Sequence, residues 1–190
     1  NMYNFDQITD RHGTDSVKWD GMEEMFGRND LIPMWVADMD FHTPAFILDA
    51  LSKRLDRRIM GYTIQPDEWK TTICNWQEKK HGWTIDKEHL GFIPGIVRGI
   101  AFALQALTEK GDKVMVMSPV YHPFFLVAEH NGRPVVRNTL TLNDGQYEID
   151  FARFEEDVKG CKVFILSNPH NPGGRVWTKD ELTKIADICH

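Results

Sequence analysis

Long hydrophobic runs, closely spaced cysteines and an excess of basic residues are all absent from this chain of 190 residues. Because no run of about 18 or more apolar residues occurs, the sequence predicts no membrane-spanning helix and no membrane partner. Residues 1–10 lack the basic and then apolar pattern of a secretion signal. The net charge of -6 provides no broad basic surface, so nucleic acid is not an expected partner.

Cysteine and histidine show no pattern that would bind a metal. Cys74, Cys161 and Cys189 are far apart and odd in number, and no metal-ligand spacing joins them. The eight histidines show no zinc-type spacing either. We therefore expect three buried thiols in a cytoplasmic protein, where the reducing environment keeps cysteines free, and no bound metal.

The chain does have the composition of a globular protein, with 42% hydrophobic and 26% charged residues. Residues 1–42, rich in Asp, Gly and aromatic side chains, are predicted to form an irregular arm or lobe edge. Strands that alternate with helices then predict a mainly parallel sheet covered on both faces, an α/β fold. Apolar periodicity places helices at about 43–55, 67–81, 95–110, 121–130 and 150–158, and strands at about 113–117, 135–140 and 162–166.

Capping residues mark the start of two helices. Thr43 is predicted to be an N-cap, with Pro44 at the first helical position. Thr178 and Glu181 form a capping-box sequence that opens a last helix. The chain stops at His190 inside that helix, without a breaker, so we expect a fragment of a longer protein.

The strongest signal of a site lies in residues 167–175, which follow a predicted strand. Two Asn-Pro pairs and a Gly pair leave this segment little freedom, so it predicts a stiff loop at the carboxyl end of the strand. Open α/β sheets bind their ligands at this edge. Asn168 and Asn171 offer amide donors and acceptors to a polar ligand. The alternative is a loop built of ordinary turn residues.

A second candidate is Pro94-Gly95 at the start of a predicted helix. Free backbone N–H groups and the helix dipole at such a start favour an anion such as phosphate. The segment is neither a P-loop nor a dinucleotide fingerprint, and Pro and Gly often simply begin a helix.

The third candidate is Tyr121, the first aromatic residue after a predicted strand, where a ring can stack on a planar ligand. Phe124 and Phe125 are more typical of core packing. His122 and His170 offer acid or base groups, but a lone loop histidine is more often polar surface.

Asp38 and Asp40 form another pair of acidic residues. They are read either as paired carboxylates or as caps of the following helix, and no catalytic role is assigned to them.

Taken together, these segments resemble the fold-type I pyridoxal-phosphate (PLP) enzymes of the class I/II aminotransferase superfamily. Within that superfamily the similarity is to the MalY/PatB-like branch of cystathionine β-lyase-like C–S lyases. Its most specific parts are Trp-Val-Ala-Asp-Met-Asp-Phe and Asn-Pro-His-Asn-Pro. The resemblance covers essentially the whole chain through residues 18–20, 33–41, 61–63, 94–97, 119–124 and 168–177.

The resemblance implies a three-layer αβα architecture around a mainly parallel sheet, with a smaller domain only partly present. Residues 1–45 would be the N-terminal arm and part of the small domain. Residues 46–190 would be the N-terminal part of the large, PLP-binding domain.

The resemblance also implies a pyridoxal 5'-phosphate site. Gly95, Ile96 and Val97 would hold the phosphate through backbone amides. Tyr121 would stack on the pyridine ring. Asn171 would hydrogen-bond the phenolic oxygen of the ring, which tunes the cofactor as an electron sink, and would contact the substrate.

Two further residues receive roles by the same resemblance. Tyr62 would reach the phosphate of the neighbouring subunit, which implies a homodimer with shared sites. Ala37 would lie beside the carboxylate of an amino-acid substrate.

No catalytic residue is expected within the chain itself. The resemblance places the Schiff-base lysine, the aspartate at the pyridine nitrogen and the carboxylate-binding arginine after His190. The implied activity of the whole enzyme is β-elimination from cystathionine or cysteine-type amino acids, which gives pyruvate, ammonia and a thiol. The alternatives are an aminotransferase of the same superfamily, a MalY-like regulator that retains the fold, and a nucleotide-binding α/β domain. The missing glycine fingerprint disfavours the last.

Overall fold

The computed structural model describes residues 3–190, which form two compact units that divide after Pro66. The assignment of residues 1–45 and 46–190 to a small and a large domain stays a prediction. No helix in the described part of the chain is both long and apolar enough to cross a membrane.

The N-terminal unit contains three helices: α1 (Val17–Asp20), α2 (Met22–Phe26) and α3 (Ala45–Leu55). The prediction that residues 1–42 are irregular is therefore wrong for α1 and α2. Each is about one turn long, too short for an apolar period of 3.6 residues to show in the sequence. The carboxylate of Asp20 stabilises the entry to α1 by accepting backbone N–H bonds from Gly13, Thr14 and Ser16.

Helix α3 starts later than the sequence predicts. Pro44 occupies the N-cap position in an extended conformation, and no side chain caps the helix, so the prediction of Thr43 as N-cap is wrong. The apolar side chains of α3 are exposed in this unit, including those of Phe46, Leu48 and Leu51.

Asp40 is the centre of a polar network in the N-terminal unit. Its carboxylate accepts hydrogen bonds from Lys18 Nζ at 2.7 Å, Trp19 Nε1 at 2.9 Å and Arg11 Nη1 at 2.8 Å. The Lys18 ammonium also donates to the backbone carbonyl of Asp38 at 2.9 Å. Trp35 Nε1 donates back to the Lys18 carbonyl at 3.1 Å. The network thus joins residues 35–40 to α1 through the Trp35 side chain, the Asp38 carbonyl and the Asp40 carboxylate.

The second unit is the α/β unit that the sequence predicts. Every helix and strand predicted between residues 67 and 190 is present, with small shifts at the ends. The helices are α4 (Asp67–His81), α5 (Ile96–Leu107), α6 (Pro123–His130), α7 (Phe151–Asp157) and α8 (Lys179–Cys189), and the strands of the main sheet are β1 (Lys113–Ser118), β2 (Val135–Thr139) and β5 (Cys161–Ile165).

The main sheet is parallel, with the strand order β2-β1-β5. The side chains of β1 alternate between two cores. Val114 packs with Leu104 of α5 and Ala128 of α6 on one face, and Met115 and Met117 pack with apolar side chains of α7 and α8 on the other. A parallel sheet with helices on both faces confirms the predicted fold class.

A hairpin of β3 (Thr141–Asn143) and β4 (Gln146–Glu148) was not predicted. Its turn is Asp144-Gly145, with φ of 46° and 79°. Asp-Gly is a strong hairpin signal because both central residues of a type I′ turn need positive φ. The signal was present in the sequence, but each strand has only three residues, too few to show alternation.

The cysteines are free thiols, but the expectation that all three are buried is wrong. Cys74 and Cys161 are partly buried, and Cys189 is exposed at the end of α8. Partial burial raises the pKa of the Cys161 thiol.

The substitution Asp40→Asn tests the N-terminal network. Hydrogen bonds from Lys18, Trp19 and Arg11 hold the pKa of Asp40 well below its ordinary value. A lowered pKa stabilises the folded state above the unfolded pKa of about 3.9, and this stabilisation is lost as the pH falls toward the folded value. We expect the variant to melt at a lower temperature than wild type at neutral pH, and the difference to shrink below about pH 4.

Thermal unfolding of both proteins across this pH range measures the effect. Asp49→Asn on the exposed surface of α3 is the matched control, because Asp49 is exposed, and it should melt like wild type. A deficit of Asp40→Asn that stays constant from neutral to acidic pH would contradict the ionic role of Asp40.

Candidate functional site

Three of the segments singled out in the sequence lie at one edge of the parallel sheet. Strand β1 ends at Ser118 and β5 at Ile165, and parallel strands end at the same edge. Helix α5 packs on the sheet and leads into β1 through a short loop, so α5 runs antiparallel to β1 and begins at that edge. The carboxyl edge of the sheet therefore carries the start of α5 and the loops that follow β1 and β5.

The start of α5 exposes backbone donors. The N–H groups of Ile96 and Val97 have no acceptor inside the helix, because the first turn lacks preceding carbonyls. Ile96 is exposed, and Gly95 before it has a φ of 104°, which favours glycine. The Gly95 N–H donates to the Ile93 carbonyl at 2.8 Å, so it would have to exchange that bond in order to bind an anion.

Tyr121 lies in the loop between β1 and α6, with about two fifths of its surface accessible. Its ring meets Phe124 edge-on, with centroids 5.5 Å apart and planes at 86°, and contacts His122 at 5.3 Å. The Tyr121 backbone N–H donates to the Asn171 carbonyl at 2.7 Å. Two predicted site residues that are 50 positions apart are thus directly joined.

Asn171 is bound to the neighbouring loop residues through its backbone, and its side chain is left free of such bonds. Its N–H donates to Ser167 Oγ at 3.2 Å, and its carbonyl accepts from Tyr121. The Asn171 residue is exposed, and its side-chain amide makes no hydrogen bond to the described residues. The amide is therefore available to a ligand.

The Asn168 side chain is used differently, because its Oδ1 accepts the backbone N–H of Trp177 at 3.1 Å. The Trp177 indole N–H donates to the Ser167 carbonyl at 3.0 Å. Asn168 and Trp177 therefore brace the loop. The side-chain oxygen of Asn168 is engaged in this bond, whereas neither side-chain amide atom of Asn171 bonds to the described residues.

His170 is buried, with 2% of its surface exposed, so the expectation of polar surface is wrong for this residue. Its ring packs against the indole of Trp177 at 5.5 Å, and its Nε2 lies 2.7 Å from the Pro119 carbonyl. His122 is exposed, in keeping with the surface interpretation. The position of His170 between two Asn-Pro pairs was the only sequence signal of its burial.

The hairpin supports this loop from outside. A side-chain carbon added at Gly173 would come within 2.9 Å of the Tyr147 ring and 3.0 Å of the His170 ring. A side chain at position 173 would therefore force the Tyr147 and His170 rings to shift. Tyr147 of β4, Gly173 and His170 thus pack closely together.

The other two predicted site residues lie in the N-terminal unit. Ala37 is exposed and belongs to the segment that the Asp40 network holds. Tyr62 is fully exposed in a segment without regular structure. Their roles toward a cofactor or substrate stay predictions. Within residues 3–190, no group of three or more His, Cys, Asp or Glu side chains is placed to hold a metal ion.

Comparisons with known proteins identify the family of the chain. Residues 29–190 match the family model described as aminotransferase class I and II. Cystathionine beta-lyase PatB of Bacillus subtilis is 47% identical over 98% of this chain, and Protein MalY of Escherichia coli is 33% identical over 99% of it. The crystal structure of cystalysin from Treponema denticola, which contains pyridoxal 5'-phosphate, superposes with a TM-score of 0.90 at 36% identity over 99% of this chain.

The length of the match is as informative as its strength. The chain spans about half the length of these relatives, 49% of each. The family match nevertheless includes the start of α5, Tyr121 and the loop with Asn171. The chain belongs to the aminotransferase class I and II family.

Proposed function

We propose that the chain is part of a PLP-dependent carbon–sulfur β-lyase that acts on cystathionine or cysteine-type amino acids and releases pyruvate, ammonia and a thiol. The observation that carries the proposal is the direct link between Tyr121 and Asn171 at the carboxyl edge of the sheet. This link brings a partly exposed aromatic ring together with an available amide. The 47% identity to a cystathionine beta-lyase supports the choice of reaction.

The described residues fit the cofactor. The free N–H groups of Ile96 and Val97 suit a phosphate, since a helix start concentrates donors and positive partial charge. Gly95 provides the turn that exposes them. The Tyr121 ring provides a surface for a pyridine ring, and the Asn171 amide provides a donor for its phenolic oxygen.

When bound, the cofactor supplies an electron sink for the charge that develops at the substrate Cα. The residues of this chain would orient and polarise it. Asn171 would donate a hydrogen bond to the phenolic oxygen, and Tyr121 would fix the plane of the ring. Ala37 has only a methyl side chain and would leave room for the substrate carboxylate. The lysine, aspartate and arginine that complete the site are proposed for the remainder of the enzyme.

Transamination is the second candidate reaction, and the family model carries that name. Both reactions begin with removal of the Cα proton, so Tyr121 and Asn171 would serve either one. A regulatory protein that retains the fold is the third candidate. It is supported by the 33% identity to Protein MalY.

We also propose a homodimer in which Tyr62 of one subunit reaches the phosphate site of the other. The support is a fully exposed tyrosine on a segment without regular structure, together with the exposed apolar face of α3. The presence of three free thiols supports a cytoplasmic location.

Release of pyruvate tests the proposed reaction. We expect the full-length protein, purified with PLP, to produce pyruvate and a thiol from cystathionine in equal amounts. A coupled lactate dehydrogenase assay measures pyruvate, and a thiol reagent measures the second product. If a keto acid forms only when an acceptor keto acid is added, the protein is an aminotransferase and the lyase assignment is wrong. If PLP binds without turnover, the regulatory function is favoured.

The substitution Tyr121→Ala tests the stacking role. Loss of aromatic stacking removes about 0.5–1.5 kcal/mol beyond the loss of buried area, so PLP affinity of the full-length protein should fall by about 2- to 12-fold. Equilibrium titration of the apoprotein with PLP measures the change. Phe102→Ala is the matched control, because it removes a half-exposed ring from the middle of α5, away from the helix start. Equal affinities of Tyr121→Ala and wild type would refute stacking.

Subunit complementation tests the role of Tyr62. Tyr62→Ala and Asn171→Ala homodimers should each be poorly active, since every site lacks one group. Random mixing after unfolding and refolding should produce heterodimers in which one of two sites is intact, and recover about one quarter of wild-type activity. No recovery, with heterodimers verified by mass spectrometry, would show that Tyr62 does not act across subunits.

A further inference from the structure

We propose that His170 is a positioning residue that holds Tyr121 in register with Asn171, so that the stacking ring and the polar amide face one cofactor together. The inference rests on the proposed PLP function. It assigns to His170 neither acid–base chemistry nor contact with substrate.

The first argument is the contact between the two loops. His170 Nε2 lies 2.7 Å from the Pro119 carbonyl, across 51 positions of sequence. A carbonyl oxygen only accepts, so Nε2 carries the proton and donates it. Pro119 has no N–H of its own, so its carbonyl is the backbone group of this residue that can form a hydrogen bond.

The second argument is that this bond has a neighbour. Pro119 lies two residues before Tyr121, and His170 lies directly before Asn171. The backbone bond from Tyr121 to Asn171 therefore runs beside the bond from His170 to Pro119. One hydrogen bond allows the loops to rotate about it. Two adjacent bonds oppose that rotation and fix the position of the Tyr121 ring.

The third argument is that the His170 ring is itself immobilised. Its backbone N–H donates to the Arg175 carbonyl at 2.6 Å, and its carbonyl accepts from Gly174 at 2.8 Å. Trp177 packs against one part of the ring, and a side-chain carbon added at Gly173 would come within 3.0 Å of another. A donor that cannot change its orientation transmits the position of the braced loop to Pro119.

The same surroundings exclude a direct catalytic role. His170 Nδ1 is buried and forms no hydrogen bond with the described residues. A nitrogen without access to solvent or to the exposed Asn171 amide cannot exchange protons with a substrate. What remains for His170 is the bond that Nε2 makes.

A double-mutant cycle in the full-length protein tests the proposal. The variants are His170→Leu, Tyr121→Ala and their combination, and the readouts are PLP affinity and the visible circular dichroism of bound PLP. With Tyr121 present, His170→Leu should weaken PLP binding by about 5- to 10-fold, the effect of one lost hydrogen bond. In the Tyr121→Ala background the further loss should be less than about twofold, because the group that His170 positions is gone.

Two further variants separate positioning from stability. His170→Gln keeps a side-chain N–H donor and should recover part of the affinity and of the dichroism. Asp150→Ala is the matched control, because Asp150 caps α7 and touches neither loop. It should lower the thermal midpoint while leaving the dichroism per bound PLP unchanged.

Equal losses from His170→Leu in both backgrounds would overturn the proposal, since a purely structural effect adds independently of Tyr121. If His170→Leu does not fold, the same cycle with His170→Gln decides, and equal losses there overturn it as well. Failure of the proposed function looks different, because wild-type protein would then bind no PLP.

Discussion

The α/β unit depends on the burial of both faces of strand β1. Val114, Met115, Val116 and Met117 are all essentially inaccessible, because β1 pairs with a strand on each side and carries helices on both faces. Since β2 and β5 both pair with β1 in parallel, the loops after β1 and β5 emerge at one edge. The sheet brings Tyr121 and Asn171 to the same edge, and the hydrogen bonds between the two loops then join them.

The sequence predicted those features that long periodic patterns encode. Helix α4 occupies the predicted residues 67–81, and the capping box of Thr178 and Glu181 is formed. Short elements escaped, because α1, α2 and the strands of the hairpin carry too few residues for a period to show. Thr43 failed as a cap because Pro44 takes the N-cap position itself. The missed elements are too short to show a pattern, and the wrong cap depends on local geometry. The predicted strands and helices follow one another in the correct order.

The site shows a second limit of reading sequence alone. The start of α5, Tyr121 and Asn171 were proposed as site residues from residue type and position, because glycine, an aromatic ring and an amide have recognisable chemistry. His170 and Asp40 were not understood, because their importance lies in partners that are distant in sequence. His170 donates a hydrogen bond to the Pro119 carbonyl, and Asp40 accepts hydrogen bonds from Lys18, Trp19 and Arg11. In both cases one buried or half-buried polar side chain orders a segment that regular secondary structure does not.

The contact between Tyr147 and Gly173 has a consequence for how this protein can change over evolution. The hairpin of β3 and β4 lies outside the main sheet and looks like an appendage that insertions or deletions would leave harmless. Its Tyr147 ring, however, fills the space that any side chain at Gly173 would need. A larger residue at position 173 would therefore have to displace both the Tyr147 ring and the His170 ring. An outlying hairpin thus restricts how the loop that carries Asn171 can diverge.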